Sequence, residues 1–203
     1  MSKGRQTREQ ILRRALSEAS RFGLEGLSIG ALAKDIGMSK SGLFSHFGSK
    51  EGLQISVLHR AADLYVERVV VPATKEPRGE PRVRALFANW LDWDDSMAVP
   101  GGCLFMSASF EFEDRPGPVR QTVVALIQML QDALRRAAAI SVEEAHFRDD
   151  LDLDRFAFQW HSLLLGYHVQ SRLLHHPDAR EIVTTSFDRL VRSARRPEYP
   201  HPD

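Results

Sequence analysis

Ser28, Ser39 and Ser49 each stand ahead of a short run whose apolar residues recur at helical spacing, and Gly23 and Gly37 close the two runs before Ser39. A serine so placed caps a helix by accepting from an amide two or three residues on. A glycine ends one, because it takes positive φ at no steric cost. From Gly37 to Glu51, two short helical patterns meet at a tight turn, Gly37-Met38-Ser39-Lys40-Ser41-Gly42-Leu43-Phe44-Ser45-His46-Phe47-Gly48-Ser49-Lys50-Glu51. A stretch punctuated this closely folds as short crossing helices, not as strands or a continuous rod.

The rest of the chain keeps the helical period, and convincing strand alternation is absent. Thr7-Arg8-Glu9-Gln10 reads as a capping box that starts a first helix, with Ile11, Leu12, Ala15, Leu16, Ala19 and Phe22 on one face. The second helix carries Ile29, Leu32, Ala33 and Ile36, and the third buries Leu43 and Phe47. The fourth runs from Lys50 to about Val71, before Pro72. Further helices are expected over about 81–97, 103–112, 118–139, 153–175 and 178–195, with Pro- and Gly-rich connections at 72–81, 100–102 and 114–118. Pro118 suits a first helical position. The expected fold is therefore all-α, with about nine helices. A three-helix helix-turn-helix domain occupies residues 1–50, a long helix leads out of it, and a helical bundle fills 51–196. The tail 197–203 is expected to be disordered.

At 203 residues and 43% hydrophobic, the chain can bury a sizeable core. Net charge is zero, but it is unevenly placed. Residues 1–60 hold 10 Lys/Arg against 5 Asp/Glu, and residues 61–203 hold 17 against 22. A basic end on a mildly acidic body suits nucleic-acid binding through the first part only. The single cysteine, Cys103, permits no disulfide within the chain, which points to a reducing, cytoplasmic setting. The first residues lack the apolar core of a signal peptide. No apolar run reaches the ~18 residues a membrane span needs.

A recognition helix presents small or polar side chains early, where it meets base edges, and apolar ones toward its own domain. Ser39, Lys40 and Ser41 supply the first kind; Leu43 and Phe47 supply the second. Ser28 and Lys50 sit at helix N-termini, where free amides favour phosphate, and are expected to clamp the DNA backbone.

Residues 7–53 resemble the DNA-binding domain of the TetR/AcrR family of one-component regulators. The likeness lies in Leu32-Ala33-Lys34-Asp35-Ile36-Gly37-Met38-Ser39, followed by Leu43-Phe44-Ser45-His46-Phe47-Gly48-Ser49-Lys50-Glu51-Gly52-Leu53. Two positions depart from the family pattern. Phe44 replaces a usual tyrosine whose hydroxyl reaches phosphate, so Phe44 is left with van der Waals contact and the nearby His46 is the candidate replacement donor. Gly30 stands where a side chain able to touch DNA is common. The resemblance implies a homodimer on double-stranded DNA, reading an inverted-repeat operator, most often as a repressor released by a small effector.

The body is rich in large apolar side chains. Facing helices of a bundle build ligand sites from such residues. The candidates for a largely apolar effector are Phe87, Trp90, Phe105, Met106, Phe110, Met129, Trp160, His161 and Tyr167, with Arg120, Gln128 and His168 as further polar liners. The last two helices hold more apolar surface than a helix pair buries alone. By resemblance they form a four-helix dimer interface through Leu164, Leu165, His168, Phe187, Leu190 and Val191, with Gly166 permitting close approach. An alternative is a body that answers to a protein partner, or to oxidation of Cys103, whose helix N-terminus would depress the thiol pKa.

No nucleophile–base motif, phosphate loop or dinucleotide fingerprint is present, so no enzyme is expected. His161, His168 and His175 are spaced by seven, too far apart to share a metal within one chain, and no Cys/His cluster has zinc spacing. No metal and no cofactor are expected.

Overall fold

The computed structural model describes residues 3–197; the expected disordered tail lies almost wholly outside them. Within that range the chain is all-helical, with a single isolated antiparallel bridge between Phe147 and Arg195. No helix among the described residues is long and apolar enough to cross a membrane, and no group of His, Cys, Asp and Glu there could hold a metal ion.

The contacts divide the chain into two compact units that cut across its order. The first comprises residues 1–65 and 93–127, and the second comprises 66–92 and 128–203. The helix-turn-helix thus shares its unit with a helix from the middle of the chain.

In the first unit, α1 (Lys3–Phe22), α2 (Ile29–Asp35), α3 (Lys40–Phe47) and α4 (Lys50–Tyr65) follow one another closely. Helix α1 buries Ile11, Leu12, Ala15, Leu16 and Ala19, and stops at Gly23 with φ +80°. It begins four residues before Thr7, so the expected capping box is not its start. Once 3–6 are helical, the Thr7 region has its own intrahelical partners and a cap has nothing to satisfy. Phe22 also departs from expectation: its ring is exposed and lies under the Arg21 guanidinium, 5.1 Å from the centroid. The serine caps are in place. Ser28 Oγ accepts from Ala31 N at 3.3 Å, Ser39 Oγ from Gly42 N at 3.0 Å, and Ser49 Oγ from Gly52 N at 2.9 Å. Gly37 and Gly48 turn the chain with φ +69° and +74°. Leu32, Ala33, Leu43, Leu53, Val57 and Leu58 close this small core.

Helix α4 was expected to end before Pro72. Instead the helical path continues through one π turn, Val66–Val70, into α5 (Val71–Ala73), which places Pro72 in a first turn where its missing N–H leaves no partner unmet. Helix α6 (Glu80–Asp94) stops three residues earlier than expected, leaving Met97 in solvent. The Asp94 carboxylate turns to accept from Cys103 N at 2.7 Å. Helix α7 (Leu104–Glu111) buries Leu104, Phe105, Met106 and Ala108, with Tyr65 edge-on to Phe105 at 6.1 Å.

Helix α8 (Pro118–Glu143) begins in the first unit and ends in the second. There, α6, α9 (Leu153–Arg172) and α10 (Ala179–Ala194) meet around an aromatic column. Phe87 stacks flat on Phe187 at 3.8 Å, Phe187 meets Trp160 at 5.2 Å, and Trp160 meets Phe156 at 6.1 Å. Such rings contribute both large buried area and pair geometry. At one end of the column Glu80, itself buried, pairs with Arg195 and Arg84, and Arg84 reaches Asp188. Burial works against ionisation of Glu80, but hydrogen bonds from Arg195 and Arg84 outweigh it and hold the carboxyl below its usual 4.5.

Candidate nucleic-acid interface

Helix α3 has two unlike sides. Leu43 is fully buried, and Gly42, His46 and Phe47 are half-buried. Lys40, Ser41, Phe44 and Ser45 are exposed. Those four stand at i, i+1, i+4 and i+5, so they form one outward stripe along a two-turn helix. Ser39 opens the stripe; its hydroxyl caps the helix and also lies 3.1 Å from that of Ser41. The first turn thus offers a cation, two hydroxyls and unpaired backbone amides to whatever meets it. Phe44 follows with 47% of its surface exposed.

The placement of the other expected contacts differs in detail. Ser28 is exposed at the N-terminus of α2. His46 is half-buried, with its ring tilted against Phe47 at 6.2 Å. Lys50 is not free to clamp phosphate. Its Nζ donates to the Glu25 carbonyl at 2.7 Å and lies 3.2 Å from the Glu25 carboxylate, so the α1–α2 turn takes up the charge. Ser45, on the exposed stripe, was missed; its Oγ donates to Gly42 O at 2.7 Å. Alternation of exposure within α3 would have found it.

Gly30 proves to be more than a missing contact. The Lys40 side chain crosses the start of α2 there, and a Cβ on Gly30 would lie 2.7 Å from Lys40 Cε. The absent side chain makes the groove in which Lys40 rests.

The residues expected to bind an effector are dispersed. Phe87, Trp90, Trp160 and Tyr167 are buried in the second unit, and Phe105 and Met106 in the first. Phe110 and Met129 are 53% and 66% exposed and line no interior. Phe110 lies on α7, which is apolar on nearly every side, and Met129 on the solvent side of α8, so neither side chain carries a positional signal in the sequence. Burial lowers the pKa of His161, and its Nδ1 lies 3.5 Å from Gln131 Nε2. The buried Trp90 Nε1, Trp160 Nε1 and His161 Nε2 have no hydrogen-bond partner.

The expected interface residues are corrected too. Leu164, Phe187 and Val191 are buried inside their own unit, against the aromatic column, and have no surface left to give a partner. Leu165, His168 and Leu190 keep partial exposure. The outward apolar surface of this helix pair instead centres on Leu163, Gly166 and Ile182, which line a cleft of about 370 Å³ with Tyr167, Ala179 and Val183.

Cys103 is fully buried, and burial pushes its thiol up to about 12. The helix N-terminus that was expected to depress it is outweighed by desolvation, and the adjacent Asp94 charge acts in the same direction as burial. Enclosure and the raised pKa both work against oxidation of this thiol.

A basic helix-turn-helix with an exposed polar stripe on its second helix, carried by an all-helical body, defines the class of bacterial one-component DNA-binding regulators. Residues 11–57 match the family described as bacterial regulatory proteins, tetR family, and residues 79–187 match the tetracyclin repressor-like C-terminal domain. The second match spans more than half of the chain, and the protein belongs to the TetR family. Solved structures share the fold. A TetR transcriptional regulator from Chloroflexus aurantiacus superposes with a TM-score of 0.87 at 23% identity, covering 97% of this chain and 99% of that one. A TetR-family regulator from Cytophaga hutchinsonii gives 0.82 at 18% identity, covering 96% and 98%. AibR, solved in complex with isovaleryl coenzyme A and operator DNA, gives 0.66 at 21% identity, covering 88% and 96%. No curated protein matches the chain.

Proposed function

We propose that the protein is a homodimeric repressor that reads an inverted-repeat operator through α3 and releases it when a small, largely apolar effector binds its helical body. The observation that carries the reading is the outward stripe of Ser39, Lys40, Ser41, Phe44 and Ser45 on a helix held rigid by Leu43 and two glycine turns. The serines and Lys40 can hydrogen-bond to base edges and phosphates, and Phe44 can make apolar contact. One such helix reads half a site, and two of them in a dimer would address grooves about 34–36 Å apart. The outward apolar surface at Leu163, Gly166 and Ile182 supports self-association, since an apolar face on two adjacent helices matches itself across a two-fold axis.

Ligand response is supported by the unpaired buried donors Trp90 Nε1 and Trp160 Nε1, which a bound acceptor would satisfy. AibR, of the same fold, was solved with both an acyl coenzyme A and operator DNA. Release then follows from population shift: the effector favours a state in which α4 swings and the two α3 helices no longer match successive grooves.

The test is binding to the DNA upstream of the protein's own gene, followed by gel shift across a salt series. Wild type is expected to bind with a steep loss at higher salt. Lys40→Ala is expected to weaken binding and, if Lys40 meets phosphate, to reduce the salt slope by about one. Saturable binding absent from this and every other genomic fragment would overturn the reading.

A further inference from the structure

The turn between α1 and α2 is held by side chains from α4 and α7. Leu24 N and Glu25 N both donate to the Glu111 carboxylate, at 2.8 and 2.7 Å. Leu24 O accepts from Gln54 Nε2 at 2.9 Å, and Glu25 O from Lys50 Nζ at 2.7 Å. Four consecutive backbone groups are thus satisfied by three side chains, and only Glu111 comes from α7. The carboxylate sits so close that a Cβ on Gly23 would lie 2.7 Å from Oε1. The segment ahead of α7 is bound to the same place: Gly101 N donates to Ser20 Oγ at 3.1 Å, and a Cβ on Gly101 would overlap the Ser20 carbonyl. Residues 101–111 are therefore strapped at both ends to the C-terminal end of α1, inside one compact unit.

We infer that Glu111 is a positioning residue that couples α7 to the helix-turn-helix, so that a displacement of α7 moves the turn ahead of α2 directly, without passing through α4. The inference rests on the DNA-reading role proposed above. Its chemistry is specific. A carboxylate accepts from two adjacent amides at once, whereas a carboxamide accepts from one and turns an N–H toward the other. Glu111→Gln removes one of the two accepted hydrogen bonds while keeping the side-chain shape.

The experiment is hydrogen exchange on the full chain, free and bound to a duplex selected in vitro by the wild type from a random pool. In the free protein, Glu111→Gln is expected to speed exchange in the peptide spanning 23–27 at least tenfold, and Glu113→Gln, two residues on, to leave it unchanged. Unchanged exchange in Glu111→Gln overturns the clamp whatever the protein does with DNA. With duplex bound, wild type is expected to gain protection in both 23–27 and 104–111. Glu111→Gln is expected to bind within about tenfold of wild type and to lose the gain at 104–111 alone. Equal protection at 104–111 in both proteins, or none in wild type, overturns the coupling. A wild type that selects no duplex overturns the regulator reading and with it the coupling, while the free-protein measurement still decides the clamp. Should Glu111→Gln fail to fold, Glu111→Asp, which withdraws the carboxylate by one methylene, decides by the same readouts.

Discussion

Single side chains decide how α3 meets a duplex. Phe44 is half exposed on the outward stripe, one turn from Lys40 and Ser41. It carries no donor where relatives of this pattern place a hydroxyl. Phe44→Tyr is expected to tighten operator binding, by about tenfold or more if the new hydroxyl makes one hydrogen bond to phosphate, since a bond to a charged group is worth about 1.5 kcal/mol or more. Fluorescence anisotropy at fixed salt checks it; weaker binding would mean that the ring packs against sugar with no room for a hydroxyl. The outward residues Ser39, Lys40, Ser41 and Phe44 were legible because capping and helical spacing are local. The contact of Lys50 with Glu25 was not legible because Glu25 lies on a turn twenty-five residues earlier. Glu111 was not legible at all: its two amide partners are 86 and 87 residues away, and a carboxylate near a helix end says nothing about what it will meet.

Among the elements, helix ends followed the sequence where one residue type alone could serve. Gly23 and Gly37 take positive φ as expected of helix ends, and Ser28, Ser39 and Ser49 all cap. Ends set by competition were misplaced, as at Thr7 and Pro72. At Gly48 the strain argument is isolated, because nothing lies within 4 Å of a Cβ built there. Gly48→Ala is therefore expected to destabilise the fold by about 1–2 kcal/mol through backbone conformation alone. Thermal melting followed by circular dichroism reads it, with an unchanged midpoint as the contrary outcome. The exposure of two effector candidates, Phe110 and Met129, was not legible for a different reason. Apolar side chains look alike in sequence whether they face a core, as Phe187 does, or solvent, as Met129 does.

For the molecule as a whole, the ion pairs around Glu80 join α6 to the end of α10 within the second unit. Glu80 has a depressed pKa, so its stabilising contribution is fully present above its unfolded value of 4.5 and is lost as pH falls through the lower folded value. Stability is therefore expected to fall on acidification below about pH 4.5, with Glu80 one contributor. Glu80→Gln removes the charge that Arg84 and Arg195 pair with, the latter only 7% exposed, and is expected to cost about 3 kcal/mol or more at pH 7. Because the ionisable group is gone, the variant is also expected to lose less stability than wild type between pH 7 and pH 3. Urea melts at the two pH values measure both effects; parallel acid losses would show that other carboxylates carry the dependence.

The contact of Lys40 with Gly30 has a consequence for how such a protein changes its target. A methyl group there would meet the far end of a flexible lysine rather than backbone, so Lys40 can swing aside cheaply. A substitution at position 30 would thus leave the fold intact while re-aiming the cation one helix away. New operator preferences could then arise from a residue that need not itself touch a base.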